Sequence, residues 1–217
     1  GGGGPYHSGS IESTLLNIRG IKVCYPSNAA DMKGLMKAAF LDPNPVIMLE
    51  HKGLYWSKVQ GTDDAKTIEP DRDYILPLGK ANIVQHASQD ALDEGNSCVV
   101  ITYGMGVYWA KAASEKFKGS VEIVDLRTLN PLDEKLIMER VKIHGKAIVV
   151  TEEPLLNSFA ESLACRITQQ CFRNLDAPVA TLGAAPTPAI PLNQGLEAQI
   201  LPSAGKLTAA LELLLNS

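Results

Sequence analysis

His7 sits in the opening stretch GGGGPYHSGS, among glycines and small polar residues. Glycines let a backbone approach a ligand closely, and Pro5 limits the loop's freedom. An imidazole held there could transfer a proton near neutral pH. The same composition also describes a disordered leader, and composition alone favours the leader. A second group of interest is Glu152 and Glu153, in VTEEPLLNSFAE. They follow an apolar run that reads as a parallel strand, and ligands of open α/β sheets bind beyond the carboxyl ends of such strands. Two adjacent carboxyl groups there could act as acid and base, contact a partner loop, line a substrate channel, or stand on a solvated loop. In LDPNP, Asp42 and Asn44 offer hard oxygen ligands at a helix end whose last carbonyls are free, which suits a cation. An ordinary helix stop with Asx turns explains the same residues.

TYGMGVYW follows a strand and opens a helix, and Asp125 ends the next strand about twenty residues on. The spacing mimics a dinucleotide-binding turn, but Trp109 stands where the third glycine would permit close helix–strand packing. A glycine-rich strand-to-helix turn is the simpler reading, with backbone N–H groups at 104–107 able to meet an anion. Cysteines 24, 98, 165 and 171 form no CxxC pair. They read as buried thiols of a reducing cytoplasm rather than as a metal site.

These groups must be positioned by alternating strands and helices. IKVCY (21–25) and VIMLE (46–50) read as strands. Between them lies a helix capped by Asn28, with Met32, Leu35, Met36 and Ala39 on one face. Strand–helix–strand implies a parallel pair. Residues 51–78 lose all period and read as a linker. Strands are then expected at 81–87, 97–102, 120–126, 146–151 and 178–182, the first paired by a turn to the next. Helices are expected at 106–117, 133–144 and 207–215, and at 158–175, where Ser158 and Glu161 form a capping box and Phe159, Leu163, Ile167 and Cys171 line one face. The whole predicts an α/β fold: a three-layer, mostly parallel sheet, complete from about residue 79, preceded by a half-domain with two strands, too few to stand alone.

The chain has 217 residues and a net charge of −4. It shows no basic stripe, which argues against nucleic acid, and no apolar run long enough to span a bilayer. It does not begin with Met, and its first residues read as the interior of something longer.

PSNAADMKGLMKAAFLDPNPVIMLEHKGLY and VEIVDLRTLNPLDEKLI…VVTEEPLLNSFAESLA resemble the beta subunit of the decarboxylating component of 2-oxo acid dehydrogenase complexes. That family groups with transketolase among thiamine-diphosphate enzymes. The resemblance runs over essentially the whole chain and includes GPYHS, which is similar to the family's active-site histidine loop. It implies that residues 1–56 are the C-terminal half of a pyrimidine-binding domain, 57–78 a linker, and 79–217 a transketolase C-terminal-like domain. It implies a catalytic role for His7, facing the thiazolium and the incoming lipoyl group. Asp42 and Asn44, with the Ala39 carbonyl, would form a structural potassium loop.

The resemblance also implies thiamine diphosphate and magnesium in the intact enzyme, with neither expected on this chain alone. The family's cofactor-activating glutamate lies upstream, and its magnesium-diphosphate motif lies on the alpha partner or an upstream fused segment. Expected partners are that alpha subunit or segment, a second beta subunit and the lipoyl acyltransferase core protein. The activity implied is oxidative decarboxylation of a 2-oxo acid with acyl transfer to lipoamide, this piece being inactive alone. Two alternatives stay open: a non-enzymatic docking and dimerisation module, and another enzyme of the superfamily, such as deoxyxylulose-phosphate synthase or an acetoin-cleaving relative.

Overall fold

Alternating apolar runs build the centre of the molecule. In the computed structural model, which describes residues 4, 7–57 and 59–217, CVVIT, VEIVD and AIVV form strands whose side chains are almost wholly buried. Successive side chains of a strand point to opposite faces. Val99 and Ile101 accordingly enter one apolar cluster, and Cys98 and Val100 enter the other.

In chain order the elements are α1 (Glu12–Leu16), β1 (Lys22–Cys24), α2 (Ala29–Leu41), β2 (Val46–Met48), β3 (Asn82–Gln85), α3 (Gln89–Asp93), β4 (Cys98–Thr102), α4 (Gly106–Ser114), β5 (Val121–Asp125), β6 (Thr128–Asn130), α5 (Glu134–His144), β7 (Ala147–Pro154), α6 (Phe159–Cys171), β8 (Ala180–Ala184), α7 (Gln194–Ile200) and α8 (Ala204–Leu215).

The larger sheet runs β3-β5-β4-β7-β8. All its pairs are parallel except β3 with β5. Helices α5 and α6 cover one face through Ile137, Val141, Leu163 and Ile167. Helices α4 and α8 cover the other through Ala110, Ala113, Leu207 and Leu211. This is the expected three-layer α/β arrangement. The expected pairing of β3 to its chain neighbour is wrong: α3 intervenes, and β3 lies antiparallel along the outer edge of β5.

Local signals placed the longer helices, whereas the short α1, α3 and α7 were not expected. Asn28, Asp133 and Ser158 each accept a backbone N–H three residues on, satisfying an otherwise orphaned donor. Gly145 ends α5 in the left-handed conformation. The capping box of α6 is modified, because the Glu161 carboxylate takes the N–H of Asn157 rather than that of Ser158. On α2, Leu35 is buried as expected, but Met36 is exposed and the inner face is Asp31, Gly34 and Leu35. Cys24, Cys98 and Cys171 are buried, whereas Cys165 is exposed on α6, six residues from Cys171 and so on a different face.

The half-domain is not a two-stranded remnant. Its sheet runs β2-β1-β6, with β1 parallel to β2 and antiparallel to β6. The third strand is thus lent by the second unit. The stretch 57–78, expected as a linker, is laid against the protein. Leu76 N–H donates to the Gly34 carbonyl, and a side-chain carbon on Gly34 would lie 2.6 Å from the Tyr74 ring. Lys33 bonds Glu69 and the Pro70 carbonyl. Ala65 is buried with Met105, Val107 and Tyr108.

One charge in the large sheet was not apparent from its run. Glu122 of β5 is fully buried and is gripped by the Arg140 guanidinium. The His144 Nε2 and His86 Nδ1 atoms each lie 3.3 Å from its oxygens. Burial would push this carboxyl up, but hydrogen bonds and charge from His144 and Arg140 prevail and hold it at about 2.

Two tests follow. Leu163→Ala, at a site with no exposure, is expected to lower unfolding free energy by about 2–5 kcal/mol in urea titrations. Glu122 is lower in the folded than in the unfolded chain, so its contribution is present above the ordinary carboxylate range and disappears as pH falls toward about 2. Urea titrations between pH 5 and 2 should show this loss in the parent protein, on the order of 3 kcal/mol, and not in Glu122→Gln.

Candidate functional site

The carboxyl ends of the two sheets face each other. Tyr25, just past β1, sets its ring 5.1 Å from that of Tyr103, just past β4. Gly104, with φ +54°, has the Tyr25 ring where a side chain would stand, the nearest ring carbon being 2.9 Å from that position. Only glycine suits both the backbone and the space. The edge at which an open α/β sheet normally receives a ligand is therefore filled, at TYGMG, by the first unit. That agrees with reading this segment as a glycine-rich strand-to-helix turn.

Charge closes the rest of the seam. Ser27 donates its hydroxyl to Asp125, and Tyr108 donates to the Ser27 carbonyl at 2.7 Å. Arg127 bonds both carboxylate oxygens of Asp31, at 2.7 and 2.8 Å. Arg127 holds a left-handed backbone, φ +58°, an uncommon conformation for a residue with a side chain. Its carbonyl takes the Tyr25 N–H. Burial pushes the Asp125 carboxyl up to about 6, against the hydrogen bond from Ser27 that lowers it.

Glu152 and Glu153 belong to this seam and divide its work. Glu153 is buried and accepts the N–H and hydroxyl of Ser13 on α1 and the N–H of Phe159, the first residue of α6. Glu152 is 2.8 Å from His51 Nε2, while His51 Nδ1 accepts the Gly53 N–H. Both glutamates tie one unit of this chain to the other. Neither is presented to solvent as a free acid–base pair.

His7 lies apart from these bonds. It is exposed, and its backbone N–H donates to the Gly4 carbonyl at 3.4 Å. The restraint expected from Pro5, and the glycines at 1–3, lie outside the described residues. Gly9 and Ser10, further along the loop, line a cavity of about 130 Å³ with Glu152 and Pro154. The His7 loop is therefore seated beside the carboxyl end of β7.

At the end of α2, Asp42 N–H donates to the Ala39 carbonyl, and the Asp42 carboxylate accepts the backbone and side-chain N–H groups of Asn44. The Lys22 ammonium bonds the other Asp42 oxygen, and these contacts hold Asp42 below the usual carboxylate range. The donor set of Ala39, Asp42 and Asn44 is thus brought together, but a lysine cation already faces its carboxylate. A second cation on that carboxylate does not fit beside Lys22; carbonyl oxygens are what remain for one. Among the described residues no group of three or more His, Cys, Asp or Glu side chains could hold a metal ion.

Sequence reasoning missed Glu12. It is buried in the first turn of α1 and burial pushes its carboxyl up to about 7. Its signal was faint: an acid in a short polar segment reads as a solvated helix start. It also missed Asp31 and Arg127 as a pair, since 96 residues separate them.

Comparison with known proteins agrees with this architecture. The family described as "Transketolase, C-terminal domain" matches residues 87–207, and "Transketolase, pyrimidine binding domain" matches residues 1–57. The chain belongs to the transketolase C-terminal domain family, with part of a pyrimidine binding domain ahead of it. It is 36% identical to 2-oxoisovalerate dehydrogenase subunit beta of Bacillus subtilis, over 96% of this chain and 60% of that protein. It is also 36% identical to pyruvate dehydrogenase E1 component subunit beta of Rhizobium meliloti, over 95% and 42%. A third relative is the acetoin:2,6-dichlorophenolindophenol oxidoreductase subunit beta of Cupriavidus necator, 35% identical over 94% and 56%. The chain thus spans about half the length of these relatives. A solved structure titled "Split gene transketolase, inactive beta4 tetramer" superposes with a TM-score of 0.67 at 16% identity, over 94% of this chain and 60% of that one, which speaks to the fold. Among the described residues no helix is long and apolar enough to cross a membrane.

Because Asp31 is almost fully buried, removing its partner leaves an uncompensated charge. Arg127→Met is expected to cost about 3–5 kcal/mol in urea titrations, and Asp31→Leu combined with Arg127→Met markedly less.

Proposed function

We propose that this chain is part of the beta portion of a thiamine-diphosphate-dependent 2-oxo acid dehydrogenase component, contributing His7 to a centre completed by other polypeptide. The observation that carries this reading is the match to beta subunits across 94–96% of the chain, together with the pyrimidine binding domain match over residues 1–57, which includes the His7 loop. The exposed imidazole supports it, because a ligand held by a second polypeptide can reach His7 without opening the filled seam. Bound thiamine diphosphate would supply the stabilised carbanion chemistry needed for 2-oxo acid decarboxylation. His7 would hold or give a proton at its ring nitrogen as an acyl group leaves toward a lipoyl carrier.

Partners in this reading are the alpha subunit or an upstream fused segment, a second beta subunit and the lipoyl acyltransferase core. Phe40 and Leu41, adjacent at the end of α2, are 87% and 72% exposed, and exposed apolar surface of this kind marks contact sites. The potassium-loop reading of Ala39, Asp42 and Asn44 is kept for their carbonyl oxygens. The acetoin-type relative keeps a second reaction in the same superfamily open.

With the alpha partner and the full-length beta chain assembled, His7→Ala is expected to lower acyl transfer to a lipoyl domain by roughly 100-fold or more. Decarboxylation read with an artificial electron acceptor should fall much less. Equal loss in both assays, or none in either, would remove His7 from the transfer step. Calorimetry of the 217-residue chain with thiamine diphosphate and magnesium should show no micromolar site.

A further inference from the structure

Among the described residues, Glu12 is a seam carboxyl with an oxygen left unbonded and no cation beside it. It is 1% exposed, and its Oε2 atom has no hydrogen-bond partner. The Tyr103 hydroxyl lies 3.5 Å from Oε1 and 2.6 Å from Thr151 Oγ1. Thr151 Oγ1 in turn accepts the Glu153 N–H at 3.4 Å. Glu153 then returns to α1 by accepting the N–H and hydroxyl of Ser13, the residue after Glu12. Two consecutive residues of α1 are therefore tied to the ends of β4 and β7 by a closed ring of polar contacts.

The groups that face Glu12 are acids or phenols. They are Glu152 and Glu153 from β7, Tyr103 beyond β4 and Tyr25 beyond β1. His51 lies 2.8 Å from Glu152 and Arg127 bonds Asp31, so each is engaged elsewhere. A charged Glu12 would be buried, without a counter-ion and close to two other carboxylates, which the interior strongly disfavours. Burial, with smaller contributions from Glu153 and Glu152, accordingly pushes its carboxyl up to about 7.

We propose that Glu12 is a proton-operated latch and a positioning residue for the His7 loop. With its proton on, α1 stays docked on β4 and β7. With the proton off, repulsion from Glu153 and Glu152 weakens the Ser13–Glu153 bonds, and the loop from His7 to Ile11, which runs straight into α1, shifts with the helix. The bearing on catalysis rests on the role proposed for His7. The latch itself does not, and its test uses the 217-residue chain without cofactor, so either can fail alone.

The experiment is an NMR titration from pH 5 to 8.5 of protein labelled at glutamate side-chain carboxyl carbons and backbone amides. The expected result is one glutamate carboxyl, absent in Glu12→Gln, titrating well above the ordinary carboxylate range. The Ser13 and Phe159 amide signals, and the Gly9 and Ser10 amide signals of the loop, should move with the same midpoint. In Glu12→Gln the Ser13 and Phe159 amides should keep their low-pH positions throughout. Should that variant not fold, Tyr103→Phe serves instead: it removes a contact that lowers Glu12 and should shift the carboxyl midpoint upward. Titration of Glu12 in the ordinary range would overturn the proposal. So would amides that ignore the Glu12 transition, or a midpoint unchanged by Tyr103→Phe.

Discussion

A half-buried guanidinium bonded to both oxygens of a buried carboxylate joins the halves of this molecule. Asp31 lies in the first turn of α2, where the helix dipole favours an acid, and its remaining need is met by Arg127 from the turn between β5 and β6. Arg127 reaches it from a left-handed backbone that an arginine would not adopt unaided. The same turn donates the carbonyl that accepts the Tyr25 N–H and leads directly into β6, the strand that completes the small sheet. The ion pair, the strained turn and the borrowed strand form one assembly. Because an unpaired buried charge is so costly, the two units favour one relative placement.

That placement decides what the carboxyl edge of the large sheet can do. In an open α/β sheet this edge is the usual ligand site. Here it is packed by Tyr25 against Gly104, by Ser27 against Asp125 and by Ser13 against Glu153. The His7 loop is left at the margin, its imidazole outward. A histidine so placed suits a reaction centre shared with another polypeptide, in which this chain supplies a wall rather than the whole cavity.

The seam is also electrostatically asymmetric. Asp31 has its arginine, whereas Glu12 and Asp125 are buried among acids and hydroxyls, so both carboxyls are pushed upward. Glu122, on the covered face of the large sheet, is held low by Arg140 and His144. Identical chemical groups in one small protein thus span about 2 to about 7 because of what faces them.

Much of the fold was legible in the sequence. β-branched runs placed β4, β5 and β7, and cap residues Asn28, Asp133 and Ser158 placed α2, α5 and α6, because strand alternation and helix capping are local in sequence. The residues of the His7 loop, the α2 terminus and the Glu152–Glu153 edge were legible as candidates for the same reason: their types and neighbours are informative within a dozen residues. Tertiary structure alone decided that β6 joins the small sheet, that β3 skips its neighbour for β5, that residues 57–78 pack on α2, that Lys22 faces Asp42, and that Glu12 loses its water. Each of these depends on which distant backbone or charge comes to stand opposite. Hydrogen-bond complementarity and burial are properties of that encounter and leave no period in the chain.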